Sequence, residues 1–124
     1  MVTVRIRRDS RKRLSSFLAT GHAGWATSGR DLPCAAVSVV LQSVLVGLDE
    51  VARVKPQGLR RRGRIEIAWP EAARSKPAVR AIVETAARSI EYLAVQYPGH
   101  ITVSAETAHG PSTGRVKGPK DSEG

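Results

Sequence analysis

Pro33-Cys34-Ala35-Ala36-Val37-Ser38-Val39-Val40-Leu41-Gln42-Ser43-Val44-Leu45-Val46-Gly47-Leu48 is the stretch on which the fold turns. Its apolar part, Ala35 to Leu48, carries Ser38, Gln42 and Ser43 and is too short to span a bilayer. Val37, Leu41, Val44, Leu45 and Leu48 recur at spacings of three and four, so they share one face of a helix. A helix with a single apolar stripe needs a second layer to bury it against. The flanking segments supply that layer.

Upstream, Val2, Val4 and Ile6 alternate with Thr3, Arg5 and Arg7, the period of a half-buried strand. Asp9-Ser10 offers turn chemistry, and Arg13 to Thr20 reads as the returning strand, with Leu14, Phe17 and Leu18. Gly21 to Leu32 is a loop with hinge glycines at Gly21, Gly24 and Gly29. Downstream, Arg53 to Arg60 reads as a strand that Pro56 confines to a sheet edge, and Arg61-Arg62-Gly63 as a tight turn. Ile65, Ile67 and Trp69 then alternate with Arg64 and Glu66 as a further strand, which Pro70 ends.

Val79, Ile82, Val83, Ala86, Ile90, Leu93 and Ala94 form the stripe of a second helix, Pro77 to Gln96, which Pro98-Gly99 stops. Ile101 and Val103 belong to a last strand. The expected fold is α+β: strand–strand–helix–strand–strand–helix–strand, a mostly antiparallel sheet with both helices on one face. Residues 1–106 form the domain. From Thr107 the chain is Gly, Pro, Ser and Lys with few apolar residues, which predicts a disordered tail over 107–124.

Composition narrows the function classes. A chain of 124 residues with one cysteine forms no internal disulfide and suits a reducing compartment. The start, Met-Val-Thr-Val-Arg-Ile, has no signal-peptide core, so a cytoplasmic protein without membrane contact is expected. Net charge is +9, and the excess lies in two clusters, Arg5 to Arg13 and Arg53 to Arg64. Such clusters suit RNA or another anionic surface, or are solvated turns and strand edges. Aromatic residues are only 4% of the chain, which argues against a base-stacking platform. His100 and His109 make no metal-ligand spacing with the single cysteine; no metal and no cofactor are expected.

The chemistry concentrates in Gly21-His22-Ala23-Gly24-Trp25 and Gly29-Arg30-Asp31-Leu32-Pro33-Cys34. Cys34 falls in the first turn of the first helix, where unpaired N–H groups and the dipole favour a thiolate. His22 lies at the end of the second strand, and a glycine-bearing loop of this length allows it to fold back onto the sulfur. A paired imidazole takes the thiol proton and returns it to a leaving amine. N–H groups near Cys34, Ala35 and Ala36 are placed to hold an oxyanion, and the two small side chains leave that backbone open to approach.

Each residue also has a plainer role. A lone cysteine is often an inert core residue, and a loop histidine often only contacts a carbonyl. Asp31 either caps the helix or orients His22. Ser38, one turn on, bonds either the thiolate or the carbonyl of Cys34.

The run Gly21-His22-Ala23, followed by Gly29-Arg30-Asp31-Leu32-Pro33-Cys34-Ala35-Ala36-Val37-Ser38, resembles the signature of the ribosomal-processing cysteine proteases. The similarity spans residues 2 to 105, through the two-strand start, the long first helix, the turn at Gly63 and the Tyr97-Pro98 ending. It implies a dyad of Cys34 as nucleophile and His22 as general base. It further implies a homodimeric endopeptidase that trims the N-terminal extension of large-subunit ribosomal protein twenty-seven. Pro33 stands where the family usually has a branched aliphatic residue, and Trp25 where tyrosine is common. Neither change removes a catalytic group, but both bear on which side chain fits beside the cysteine. Charge alone supports the alternative of a non-catalytic RNA-binding or ribosome-associated module.

Strand order carries one more expectation. A strand over 53–60 that returns to the His22 end would place Arg60, Arg61 and Arg62 at the mouth of the site, with the Arg8–Arg13 turn at the opposite end.

Overall fold

Alternating apolar side chains, Val2, Val4 and Ile6 on one strand and Phe17 and Ala19 on the next, meet across the sheet. Val4 lies opposite Ala19, and Ile6 opposite Phe17. This computed structural model describes residues 1–21 and 32–108. In chain order the elements are β1 (Val2–Arg8), β2 (Leu14–Thr20), α1 (Leu32–Val46), β3 (Gln57–Arg61), β4 (Arg64–Ala68), α2 (Pro77–Gln96) and β5 (Ile101–Thr107). The sheet order is β3-β4-β2-β1-β5. All neighbours are antiparallel except β1 and β5, which run parallel because α2 carries the chain back across the sheet. The fold is the α+β arrangement expected from the sequence.

Both helices pack on the face that carries Val2, Val4, Ile6, Phe17, Ala19, Ile65, Ile67 and Ile101. From α1 come Cys34, Val37, Leu41 and Val44, and from α2 Val79, Val83, Ala86, Ala87 and Ile90. Trp69, fully buried, stacks at a tilt on Phe17 with ring centroids 5.4 Å apart. Its indole N–H donates to the Leu14 carbonyl at 2.8 Å, so the largest core side chain leaves no polar atom unpaired. The other face is charged. Arg7 bridges Glu66 and Glu106, and Arg5 and Arg64 join the same carboxylates. Leu18 is buried on this face, opposite Arg5 in one neighbouring strand and Glu66 in the other.

Several boundaries differ from the sequence expectation, each for a local reason. The first helix continues past Val46 as a π-helical turn, Gly47–Val51, which keeps Leu48 in the core. The combined run Leu32–Val51 is 20 residues, long and apolar enough to cross a membrane by length and composition alone. Its inner stripe of Val37, Leu41, Val44 and Leu48 is nonetheless buried in the core shared with the sheet. The edge strand starts at Gln57 instead of Arg53. Arg53 has φ +58, and the Val54 N–H donates to the Leu48 carbonyl, so 53–54 terminate the helix. At the other end β5 runs through Thr107, and the Ala108 N–H donates to the Arg8 carbonyl. The boundary set at 106 therefore falls inside the last strand. The expected tail lies, from residue 109, outside the described residues.

Candidate active site

Gly21 ends β2 with φ +111, a conformation L side chains rarely adopt. A Cβ there would meet the Met1 carbonyl oxygen at 2.7 Å. Its N–H donates to the Gly63 carbonyl at 3.2 Å, tying the strand end to the turn between β3 and β4. Gly63 is itself at φ +71, so glycine is needed on both sides of this bond. His22, the candidate base, follows directly.

Cys34 sits in the first turn of α1, 2% exposed and part of the core cluster. The thiol thus combines the two features that tune such a group. Burial in apolar surroundings disfavours the thiolate, and the helix N-terminus favours it. No acidic side chain occupies the first turn of α1 to oppose that second effect.

The direction of α1 locates Cys34 relative to the sheet. Leu45 packs at Gly58, where an added Cβ would come within 3.4 Å of its side chain. Toward the helix start, Ser38 and Gln42 share a cleft of about 190 Å³ with Arg60, Ile65 and Glu66. The helix therefore runs antiparallel to β3, with its N-terminus at the Gly21–Gly63 end. Cys34 lies one turn, about 6 Å, beyond Ser38 in that direction. The start of α1, the exit from β2 and the arginine-bearing turn thus lie toward the same end of the sheet. The Asp9–Arg13 turn closes the far end, as strand order led us to expect. The strand expected over 53–60 begins at 57, and Arg60 and Arg61 lie opposite Ile65 and Arg64, at the Gly63 end of the sheet.

Other candidate residues fall as follows. Ala35 and Ala36 line a second, larger groove between α1 and α2, about 860 Å³, together with Leu32, Val39, Tyr92 and Leu93. Ser38 lines the smaller cleft, between α1 and the β3–β4 pair. His22, Gly24, Gly29 and Asp31 lie outside the described residues, so the pairing expected between the His22 imidazole and the Cys34 thiol lies outside them too.

Sequence alone assigned Gln42 no role in a cleft and carried no sign of the α1–α2 groove. Gln42 was legible as a polar residue within the apolar run. The groove was not, because it depends on how far apart the two helices settle.

The family model for the cysteine protease Prp matches residues 1–102. No curated protein matches the sequence. Among solved structures, SMU.848 from Streptococcus mutans superposes with a TM-score of 0.76 at 26% identity, over 86% of this chain and 95% of that one. The essential ribosomal processing protease Prp from S. aureus, in complex with a covalently linked product peptide, gives 0.74 at 20% identity, over 85% and 99%. The same S. aureus protein in complex with a substrate peptide gives 0.73 at 20% identity, again over 85% and 99%.

Proposed function

The chain belongs to the Prp cysteine protease family, and from that premise we propose that it is an endopeptidase that removes the N-terminal extension of large-subunit ribosomal protein twenty-seven. The observation that carries this reading is the position of Cys34, in the signature run and in the first turn of α1. The S. aureus relative, named as a ribosomal processing protease and solved with a substrate peptide, supports the substrate class.

In this proposal His22 takes the thiol proton as Cys34 Sγ attacks the scissile carbonyl. Backbone N–H groups at the start of α1 hold the oxyanion. Collapse breaks the C–N bond, and His22 returns its proton to the leaving amine. Water, activated by the same imidazole, then hydrolyses the thioester and restores the thiol. The reaction needs no cofactor. We further propose a cytoplasmic homodimer.

The test is incubation with that ribosomal protein carrying its native N-terminal extension. Wild type is expected to shorten it at one position, with Cys34→Ala inactive and His22→Ala slower by at least about a hundredfold. Iodoacetamide labelling of Cys34 at neutral pH should slow in His22→Ala as well. Equal cleavage by wild type and Cys34→Ala, or an intact substrate with both, sinks the assignment. The latter result, with normal folding, would favour a non-catalytic module.

A further inference from the structure

The end of the sheet opposite Cys34 holds a concavity that proteolysis does not use. Its volume is about 270 Å³, and its lining includes Arg8, Arg11, Lys12, Arg13, Arg74 and Arg80. These six cations fall into two sets. Arg8, Arg13 and Arg74 are part-buried and fixed by carboxylates. Arg8 pairs with Glu84 at 3.1 Å, and Arg13 and Arg74 both pair with Asp9, at 3.0 and 3.1 Å. Arg13 also reaches Glu71 and Ser75. This set forms a braced floor whose charge is largely balanced by Asp9, Glu71 and Glu84.

Arg11, Lys12 and Arg80 make no side-chain bond among the described residues, and all three are exposed. They are not randomly placed. Asp9 accepts the Arg11 and Arg13 backbone N–H groups at 2.9 and 3.0 Å, and the Lys12 N–H donates to the Asp9 carbonyl. That turn holds Lys12 at φ +66, a strained conformation for a side chain with a Cβ. Across the concavity Arg80 stands in the first turns of α2, whose start carries no acidic side chain and no side-chain cap. The positive end of the helix dipole thus adds to the same field.

We propose that this concavity binds the phosphate backbone of RNA through Arg11, Lys12 and Arg80. Three exposed cations with no side-chain partner among the described residues, on two elements around a charge-balanced floor, suit a ligand that presents several anions at regular spacing. With aromatics at 4% of the chain, recognition rests on phosphates and carries little sequence preference. On the function proposed above, such a contact would hold the enzyme on an RNA-bound substrate with the opposite end, bearing Cys34, left open. The binding itself stands apart from that function and is read without any cleavage.

The experiment is fluorescence anisotropy of a labelled RNA duplex with the full chain, from 50 to 200 mM KCl. The variant Arg11→Gln/Lys12→Gln/Arg80→Gln is expected to weaken binding roughly tenfold or more and to flatten the log–log salt slope by about 2–3. A control, Arg53→Gln/Arg60→Gln/Arg61→Gln, removes the same charge from the other cluster and is expected to bind nearly as wild type. Circular dichroism and melting of both variants confirm that these exposed substitutions leave the fold intact. Equal losses in the two variants would reduce the effect to net charge and overturn the proposal. So would polyglutamate binding as tightly as RNA, or saturable micromolar binding of inorganic phosphate with no effect of the triple variant on RNA.

Discussion

Gly21 is where a single residue decides the geometry of the site. Its φ of +111 and the 2.7 Å approach of the Met1 carbonyl leave no room for a side chain. Gly21→Ala therefore costs strain in the left-handed region plus displacement of the N-terminus. We expect a loss of about 1–3 kcal/mol in urea denaturation. Activity should fall further than stability accounts for, because the residue displaced next is His22. A melt and a cleavage rate both equal to wild type would show that the strand end does not set the site. The expected roles of Cys34 and His22 came from the resemblance of their run to a family signature, and the helix start at Cys34 was legible from Pro33 and the apolar stripe that follows. The burial of the cysteine was not. Position in a helix fixes which backbone groups surround a sulfur, but how much of it water reaches depends on every layer packed around it.

At the scale of elements, the sequence was clear wherever periodicity was strong. The alternation of Val2, Val4 and Ile6 and the stripe of Val79, Val83, Ala86 and Ile90 predicted a strand and a helix that the structure contains. It was least clear at 47–56. There Leu48 and Val54 are both core residues, but the chain reaches them through a π-helical turn and a left-handed Arg53. Neither device has a periodic signature, so a strand over 53–60 looked equally good.

The β1–β2 turn gives this scale its prediction. Burial alone would raise the Asp9 carboxyl, but the Arg13 N–H, the Arg74 guanidinium and the Arg11 N–H outweigh it and hold it below the ordinary value. A carboxyl depressed in the folded state contributes stability above its unfolded pKa, near 3.9, and loses it as pH falls through the folded value. Asp9→Asn should thus cost about 1–3 kcal/mol at pH 7. The gap to wild type should narrow once the pH drops below about 4 and close at still lower pH. Urea melts at pH 7, 5 and 3 read this directly. A gap constant over that range would mean that the carboxylate charge contributes nothing to the turn.

For the whole molecule, the two faces invite different neighbours. The open sheet face is a lattice of paired charges, Arg5, Arg7 and Arg64 against Glu66 and Glu106, and offers little apolar surface to a partner. The outer side of the helix layer is the reverse. Leu32, Val39 and Tyr92 are 62%, 67% and 63% exposed there, around a groove floored by Ala35, Ala36 and Leu93. Apolar area of this kind in a chain with a quarter of its residues charged is what a second copy of the chain would cover in the proposed homodimer. Val39→Glu and Tyr92→Glu change side chains that are already in water, so each should fold as wild type. Each would bury an unpaired carboxylate in the dimer, at a cost of several kcal/mol. Sedimentation equilibrium at micromolar concentrations should then show a wild-type dimer and monomeric variants. A monomeric wild type, or variants that still dimerise, would place the interface elsewhere. Because the groove includes the two residues that follow Cys34, peptide cleavage by the monomeric variants carries a second result. Full activity would mean that the site is complete within one chain, and a large loss with normal folding would mean that the partner helps to build it.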